Sequence, residues 1–261
     1  MIFVKNSERP IIVFDSGLGG ISVLRKLIQV MPREKFMYFG DSANAPYGPR
    51  DPQEVCQLTV DGMAQFDALQ PKALVIACNT ATAAAQEALE KRYPQIPVVG
   101  IEPAVRQALQ ENPGGRILSL ATAGTLASSR YQKQLKEVEG QGEVVSVAAP
   151  GIVKYVEGGM SDHEGIVAYL RELTAPWQTA PFQGVVLGCT HFPFAWAEVQ
   201  EALGYPVRFY EPSSRIAQET RDRIVAQKTA NGDTDCGSVT IQNSTNADEM
   251  LSLSWKLLTN C

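Results

Sequence analysis

The sequence predicts an α/β protein whose parallel strands are buried between helices. Short apolar runs rich in β-branched residues alternate along the chain with segments that have the spacing of amphipathic helices. The runs lack alternating polar residues, which is typical of strands covered on both faces, as in a parallel sheet. Regular alternation of such strands with helices favours an α/β architecture.

Each apolar run is predicted to form one strand. In chain order the runs are Ile11–Phe14, Phe36–Phe39, Leu74–Ala77, Val98–Ile101, Ile117–Leu120, Val144–Val147, Val185–Leu187 and Val207–Tyr210. The clearest helical patterns between them are Ser22–Met31, Pro52–Leu69, Thr82–Tyr93 and Pro103–Asn112. Asp51 and Pro52 suit a helix start, because Asp caps the first turn and Pro is tolerated within it.

The chain also repeats itself, which predicts two similar lobes related by pseudo-symmetry. Three strand-end segments recur in the same order and pair Asp15 with Thr122, Cys78 with Cys189, and Glu102 with Glu211, at offsets of 122 − 15 = 107, 189 − 78 = 111 and 211 − 102 = 109. We predict that lobe A comprises residues 1–100 together with a returning tail, 211–261, and that lobe B comprises residues 101–210. The active site is expected in the cleft between the lobes.

Composition excludes several function classes. The 261 residues include 23 Lys and Arg against 28 Asp and Glu, a net charge of −5, so no basic surface is expected to attract nucleic acid or acidic lipid. No apolar run approaches the ~18 residues of a membrane span, and no signal-peptide pattern opens the sequence. A cytoplasmic protein that binds neither nucleic acid nor membrane is expected.

Metal and nucleotide cofactors are not predicted. The 5 cysteines are odd in number and widely spaced, which disfavours a disulfide framework or a zinc site. The segment Gly17-Leu-Gly19-Gly20 follows a strand but lacks the G-x-G-x-x-G spacing of dinucleotide loops. Backbone N–H groups at such a helix start still suit a carboxylate, so a small anionic molecule is the favoured ligand.

The repeated strands end in small or polar residues, and ligands bind beyond the carboxyl ends of parallel strands. Turn formation alone would explain the glycines and hydroxyls there. It does not explain why Cys78 and Cys189 end the corresponding strand in both halves. Two matched thiols in pseudo-symmetric lobes suit inversion of a stereocentre, since one group removes a proton and its chemical equivalent returns one to the opposite face.

These residues resemble the glutamate racemase family, within the cofactor-independent aspartate/glutamate racemase superfamily. The matching motifs are Phe14-Asp15-Ser16-Gly17-Leu18-Gly19-Gly20, Tyr38-Phe39-Gly40-Asp41, Ala45-Pro46-Tyr47-Gly48, Ala77-Cys78-Asn79-Thr80-Ala81, Ala121-Thr122-Ala123-Gly124-Thr125 and Gly188-Cys189-Thr190-His191-Phe192-Pro193. The resemblance runs in order from about Ile11 to about Glu219. Its one departure in these motifs is Phe192, where the family usually has Tyr.

The resemblance implies a role for each matching residue. Cys78 and Cys189 would be the catalytic acid–base thiols, with Asp15 assisting Cys78 and His191 assisting Cys189. Substrate would be held by Asp15, Ser16, Tyr47, Gly48, Asn79, Thr80, Thr190 and His191. Thr122 and Thr125 would add contacts, and Glu157 resembles an acidic residue that supports the histidine. The other histidine, His163, is expected at a solvated helix start.

The implied function is interconversion of L- and D-glutamate without a cofactor or metal, supplying D-glutamate for peptidoglycan synthesis. The alternatives are an aspartate racemase or another superfamily relative, and a two-lobed protein that binds acidic amino acids without chemistry. The predicted partner is the small-molecule substrate, with a homodimer also considered.

Overall fold

The computed structural model describes residues 9–232, 237–245 and 247–259. The chain divides into two compact units, of which unit 1 comprises Met1–Ile101 with Ser213–Cys261 and unit 2 comprises Glu102–Pro212. The strands are β1 (Ile11–Asp15), β2 (Lys35–Gly40), β3 (Ala73–Ile76), β4 (Val98–Gly100), β5 (Arg116–Ala121), β6 (Glu143–Ala148), β7 (Gly184–Gly188), β8 (Arg208–Tyr210) and β9 (Ser238–Asn243).

Helices lie between successive strands and after β9, as the predicted α/β fold requires. They are α1 (Ile21–Val30), α2 (Pro52–Ala64), α3 (Asn79–Arg92), α4 (Val105–Glu111), α5 (Ala123–Ala127), α6 (Ser129–Glu137), α7 (Pro150–Glu157), α8 (His163–Thr174), α9 (Trp196–Leu203), α10 (Ser213–Ala226) and α11 (Asp248–Thr259). The α/β prediction is therefore confirmed, and each predicted strand overlaps one of β1 to β8.

Unit 1 is built on a five-stranded parallel sheet of order β4-β3-β1-β2-β9. The central strand β1 is fully buried, as its unbroken apolar run predicts. Beside the sheet, α2 and α3 cover a core that includes Phe14, Leu74 and Leu89. The chain after Ser213 belongs to this unit, because β9 pairs with β2 while α10 and α11 pack against α1.

Unit 2 contains a four-stranded parallel sheet of order β6-β5-β7-β8. Read from its other edge, this order is β8-β7-β5-β6, which matches β4-β3-β1-β2 of unit 1 strand for strand. The two halves of the sequence therefore fold with the same topology. The edge strand β9 has no counterpart in unit 2.

The hydrogen bonds at the strand ends correct the predicted alignment of the two halves. The N–H of Asp41 donates to the carbonyl of Asp15 at 2.9 Å, and in unit 2 the N–H of Ala149 donates to that of Ala121 at 3.0 Å. Asp15 thus corresponds to Ala121, an offset of 121 − 15 = 106. The predicted pairing of Asp15 with Thr122 is shifted by one residue, because sheet register, rather than similarity of letters, fixes the equivalence.

The predicted match between Glu102 and Glu211 is also displaced. Val75 pairs with Val99 in unit 1, and Val186 pairs with Tyr210 in unit 2. The offset of this last strand is therefore 210 − 99 = 111, the same as that of the two cysteines and two residues more than the Glu-Pro segments suggest.

Candidate active site

The first thiol lies where β3 ends and α3 begins. Cys78 is the N-cap residue of α3, and its Sγ accepts a hydrogen bond from the N–H of Ala81 at 3.5 Å. The Ser16 hydroxyl donates to the same sulfur at 3.4 Å. The sequence placed the helix start at Thr82, three residues late, because cysteine is not among the usual capping residues. The sulfur of Cys78 therefore faces two hydrogen-bond donors at the N-terminus of a helix.

Asp15 is the last residue of the neighbouring strand β1 and is fully buried. Its Oδ2 accepts a hydrogen bond from the N–H of Gly17 at 2.9 Å, which fixes the turn into α1. The helix can approach this closely because Gly20 has no side chain; a Cβ there would lie 2.6 Å from the Cβ of Asp15. The glycines of this segment therefore serve close packing around a carboxylate.

Tyr47 stands near the same residues in unit 1 and is almost fully buried. Its hydroxyl donates to Oδ2 of Asp41 at 2.7 Å. Burial raises the pKa of Tyr47 well above its ordinary value, and the hydrogen bond and the negative charges of Asp41, Cys78 and Asp15 raise it further. The phenol therefore stays protonated at neutral pH. Gly48 follows in the turn that the N–H of Arg50 closes on the carbonyl of Tyr47 at 3.1 Å.

Asn79 and Thr80 occupy the first turn of α3, and both are buried. Among the described residues, neither Oδ1 nor Nδ2 of Asn79 has a hydrogen-bond partner. Buried polar atoms are rarely left in this state, since each unmade hydrogen bond costs about 1–3 kcal/mol. Both polar atoms of this amide, which lies beside the thiol, are therefore available for hydrogen bonds with a bound ligand.

The second thiol follows β7 in unit 2. Cys189 and His191 are buried, with 3.8 Å between Sγ and Nδ1. The other ring nitrogen, Nε2, lies 3.1 Å from Oε1 of Glu157 at the end of α7. Thr190 is buried between the two predicted catalytic residues, and the ring of Phe192 is fully buried in the turn that follows. A carboxylate that holds one imidazole nitrogen directs the other towards its partner.

Thr122 and Thr125 follow β5, the strand next to β7, where α5 begins. Thr122 caps α5 by accepting from the N–H of Thr125 at 3.2 Å, and its hydroxyl also donates to that of Thr125 at 2.9 Å. Both residues thus have a structural role in the turn, which does not depend on substrate.

The two thiols have different neighbours, although their strands are equivalent. The offset of 111 residues places Thr80 where unit 2 has His191 (191 − 111 = 80), while Ala121 stands where unit 1 has Asp15. Unit 1 therefore supplies a carboxylate near its thiol, and unit 2 supplies an imidazole. The pseudo-symmetry of the backbone therefore does not extend to the side chains beside the two sulfurs.

Unit 1 brings together six of the predicted residues, namely Asp15, Ser16, Tyr47, Cys78, Asn79 and Thr80, and unit 2 places Cys189, Thr190 and His191 in consecutive order. Sequence reasoning gave no role to Asp41, although it stands in a matching motif. The contact of Glu157 with His191 has no signal in the motifs themselves, because the two residues are 34 positions apart in the sequence.

The remaining histidine is confirmed as a surface residue. His163 begins α8, and its side chain is 56% exposed between Glu198 and Glu201 of α9. No group of three or more His, Cys, Asp or Glu within residues 9–232, 237–245 and 247–259 is arranged to hold a metal ion. Over the same ranges, every helix is too short or too polar to span a bilayer.

The doubly repeated α/β topology, with a thiol at the same strand end in each unit, is the arrangement expected of a racemase, an isomerase that moves a proton at a stereocentre. The chain belongs to the Asp/Glu/Hydantoin racemase family, whose model matches residues 12–219. The resemblance predicted from the motifs is thereby confirmed.

The individual proteins that resemble this chain include two glutamate racemases. The chain is 40% identical over 253 residues to the glutamate racemase of Clostridium novyi (strain NT), which covers 97% of this chain and 98% of that protein. Identity to the glutamate racemase of Clostridium perfringens (strain 13 / Type A) is 37% over 255 residues, or 98% of this chain and 97% of that one.

Solved structures agree with this result. Glutamate racemase isoform RacE1 from Bacillus anthracis gives a TM-score of 0.86 at 29% identity, covering 97% of this chain and 94% of that chain. Escherichia coli glutamate racemase, in complex with L-glutamate and activator UDP-MurNAc-ala, gives a TM-score of 0.83 at 25% identity and covers 95% of each chain.

Proposed function

We propose that this chain interconverts L- and D-glutamate by two-base proton transfer between Cys78 and Cys189 and so supplies D-glutamate for peptidoglycan synthesis. The observation that carries the proposal is the pair of buried thiols at equivalent strand ends, each beside a group suited to proton transfer. Relatives that match nearly the whole chain at 37–40% identity are glutamate racemases, which supports glutamate as the substrate.

The proposed reaction needs no reactant other than the substrate and the two cysteine side chains. One sulfur, as thiolate, takes the α-proton from one face, and the C–H electron pair passes into the α-carboxylate as an enediolate. The other sulfur, as thiol, gives its proton to the opposite face, so the two thiols exchange protonation states. The mechanism requires that both sulfurs reach the α-carbon of one substrate molecule.

The first obstacle is the low acidity of an α-proton beside a carboxylate. Hydrogen-bond donors aimed at the developing enediolate lower that barrier, because they need no reorganisation as charge develops. Asn79, Thr80 and Thr190 are buried near the thiols and carry donors of this kind. Fixed orientation of the α-carbon between two sulfurs supplies a further entropic contribution.

Each thiol receives different assistance. In unit 1, Asp15 serves as the carboxylate that helps Cys78 to exchange its proton. In unit 2, His191 does the same for Cys189, while Glu157 holds the imidazole by its far nitrogen. The two directions of the reaction are mirror images of each other. They nevertheless depend on different assisting groups, a carboxylate in unit 1 and an imidazole in unit 2.

The first experiment follows the loss of optical purity from each enantiomer of glutamate and of aspartate, without added cofactor. We expect racemisation of glutamate well above that of aspartate. Faster racemisation of aspartate would instead favour the superfamily alternative. Ligand-induced stabilisation without racemisation would favour the binding protein.

The second experiment tests the two-base assignment with Cys78→Ser and Cys189→Ser. In D2O, each variant should lose α-proton exchange from the enantiomer whose proton its missing thiol removes, and retain more exchange from the other. Equal, mild losses for both enantiomers would contradict the assignment. Cys56→Ser is the matched control, because this half-buried cysteine lies on α2 outside the site and should exchange both enantiomers as the wild type does.

Homodimer formation and a cytoplasmic location stay predictions. Sedimentation velocity of the purified protein would test the first, and fractionation of cells that produce it would test the second.

A further inference from the structure

Asp41 is a buried carboxylate that the proposed mechanism does not use. It follows β2 directly, is 4% exposed, and lies at the start of the turn formed by residues 42–50. We propose that Asp41 is a positioning residue, whose carboxylate holds this turn so that Tyr47 and Gly48 are ready to bind substrate. The inference rests on the proposed function, because it concerns the binding of that same substrate.

The contacts of Asp41 all lead into the turn or to the neighbouring strand end. Its Oδ2 accepts from the Tyr47 hydroxyl at 2.7 Å, and Asn44 Nδ2 lies 3.1 Å from Oδ1 and 3.0 Å from Oδ2. Its own N–H donates to the carbonyl of Asp15 at 2.9 Å. A single residue therefore connects the segment of Asp15 to the turn that carries Tyr47.

The charge of this carboxylate suits the arrangement. Both side chains that contact the Asp41 carboxylate, Asn44 and Tyr47, donate hydrogen bonds to it. Because an ionised carboxylate only accepts hydrogen bonds, each of these donors is satisfied. Hydrogen bonds to a charged group contribute about 1.5–3 kcal/mol each, roughly twice the value for neutral pairs. An amide in its place would direct an NH2 group at one of these donors.

The role of Tyr47 follows from the direction of its hydrogen bond. The phenol proton is committed to Asp41, so the hydroxyl can offer the substrate only lone pairs. Burial and the adjacent carboxylate raise the pKa of Tyr47, which keeps the proton in this bond under neutral and mildly alkaline conditions. Fixing the ring then fixes the backbone of Gly48, the next residue.

The outer side of the turn is held separately by the strand that returns from the end of the chain. Ser244 Oγ accepts from the N–H of Ala43 at 2.8 Å, and Asn243 Nδ2 donates to Ser42 Oγ at 2.8 Å. These contacts secure the first residues of the turn but do not reach Tyr47. The hydroxyl of Tyr47 is therefore held through Asp41.

The test is steady-state kinetics of Asp41→Asn and Tyr47→Phe in both directions. L- and D-glutamate have equal free energies, so kcat/KM must fall by the same factor in both directions for any variant. The informative quantity is how the loss divides between KM and kcat. For a positioning residue we expect KM to rise about tenfold for both enantiomers, while kcat stays within about twofold.

A double-mutant cycle shows whether the two residues act through each other. Asp41→Asn combined with Tyr47→Phe should raise KM no more than the larger of the single changes. The matched controls are Asp67→Asn and Tyr93→Phe, which break a similar carboxylate–phenol hydrogen bond of 2.6 Å on the surface of unit 1. These controls should leave KM unchanged.

Three outcomes would overturn the proposal. They are an unchanged KM in both folded variants, a loss confined to kcat, and additive effects in the double variant. If Asp41→Asn fails to fold, Tyr47→Phe alone still decides, because it removes only one hydroxyl. Wild-type protein without racemase activity would reject the proposed function, whereas an active wild type with unaffected variants would reject only the role of Asp41.

Discussion

The amide of Asn79 is buried beside Cys78, and neither of its polar atoms has a hydrogen-bond partner in the described part of the chain. Such a side chain weakens the ligand-free fold, because its hydration is lost and nothing replaces it. Binding sites commonly carry a cost of this kind, since a group that binds a ligand cannot also be satisfied within the protein. Removing the Asn79 amide should therefore maintain or increase the stability of the ligand-free protein and weaken the binding of ligand.

Asn79→Ala should leave the free energy of unfolding of the ligand-free protein unchanged or raise it by about 1 kcal/mol. The same variant should lose most of the stabilisation that glutamate gives the wild type. Urea denaturation with and without glutamate measures both effects. Asn112→Ala is the control, because Asn112 Nδ2 donates to Ala108 O at 2.7 Å and to the Tyr210 hydroxyl at 2.8 Å. Equal destabilisation by the two substitutions would contradict this account.

At the scale of the secondary-structure elements, α8 and α9 are joined by a cluster of ion pairs around His163, whose charge depends on pH. His163 Nε2 lies 2.9 Å from Glu201 Oε2, and Nδ1 lies 3.3 Å from Glu198 Oε1. Hydrogen bonds to Glu201 and Glu198 raise the pKa of His163 above its ordinary value of 6.5. The attraction between the helices therefore depends on the charge of this imidazole.

A raised folded-state pKa means that the cluster stabilises the protein fully below the unfolded-state pKa, and that this contribution is lost as pH rises through the folded-state pKa. His163→Gln should lower Tm at about pH 5.5, where the imidazole is charged, and have no effect by about pH 9. The change should be small because the cluster is exposed. Arg171→Gln removes a guanidinium 3.5 Å from Glu201, and because guanidinium groups stay charged in proteins, its effect should be equal at both pH values. A difference between wild type and His163→Gln that grows towards pH 9 would refute the assignment.

At the scale of the whole chain, one buried ion pair fixes the segment that follows α10 to the base of the first sheet. Lys72 Nζ lies 2.5 Å from Glu34 Oε2, and it donates to Thr229 O at 2.8 Å and to Asn231 Oδ1 at 3.1 Å. Glu34 Oε1 in turn accepts from the N–H of Asn231 at 2.8 Å. Segments almost two hundred residues apart along the chain thus meet around two buried charges.

Lys72→Met should reduce the free energy of unfolding by about 3–5 kcal/mol, because it leaves the Glu34 carboxylate buried without its cation. Adding Glu34→Gln should restore part of the loss, since the remaining charge is then removed as well. Arg215→Met is the surface control, as its pair with Glu219 is exposed and contributes about 0–1 kcal/mol. Guanidinium denaturation provides all three values. A loss as small as that of Arg215→Met would mean that the buried pair does not hold the segment.

Much of the fold was predictable because its signals are local. The strands β1 to β8 are short apolar runs, and residues adjacent in sequence decide that pattern. β9 was missed because this edge strand is largely exposed and carries Ser238, Thr240 and Gln242 among its apolar residues. The end of α2 was placed five residues late, at Leu69 instead of Ala64, because the 3-10 turn Asp67–Leu69 continues the helical spacing.

By itself the sequence determined the α/β class, the repeat, the two strand-end thiols and the family, because each of these can be recognised from short segments of consecutive residues. Only the tertiary structure decided the exact correspondence of the two halves, which depends on hydrogen bonds between strands. It also decided the contact of Glu157 with His191, the link from Asp41 to Tyr47 and the unpartnered amide of Asn79. The physical reason is that burial and hydrogen-bond partners belong to the packed chain, where groups distant in sequence compete for the same few donors and acceptors.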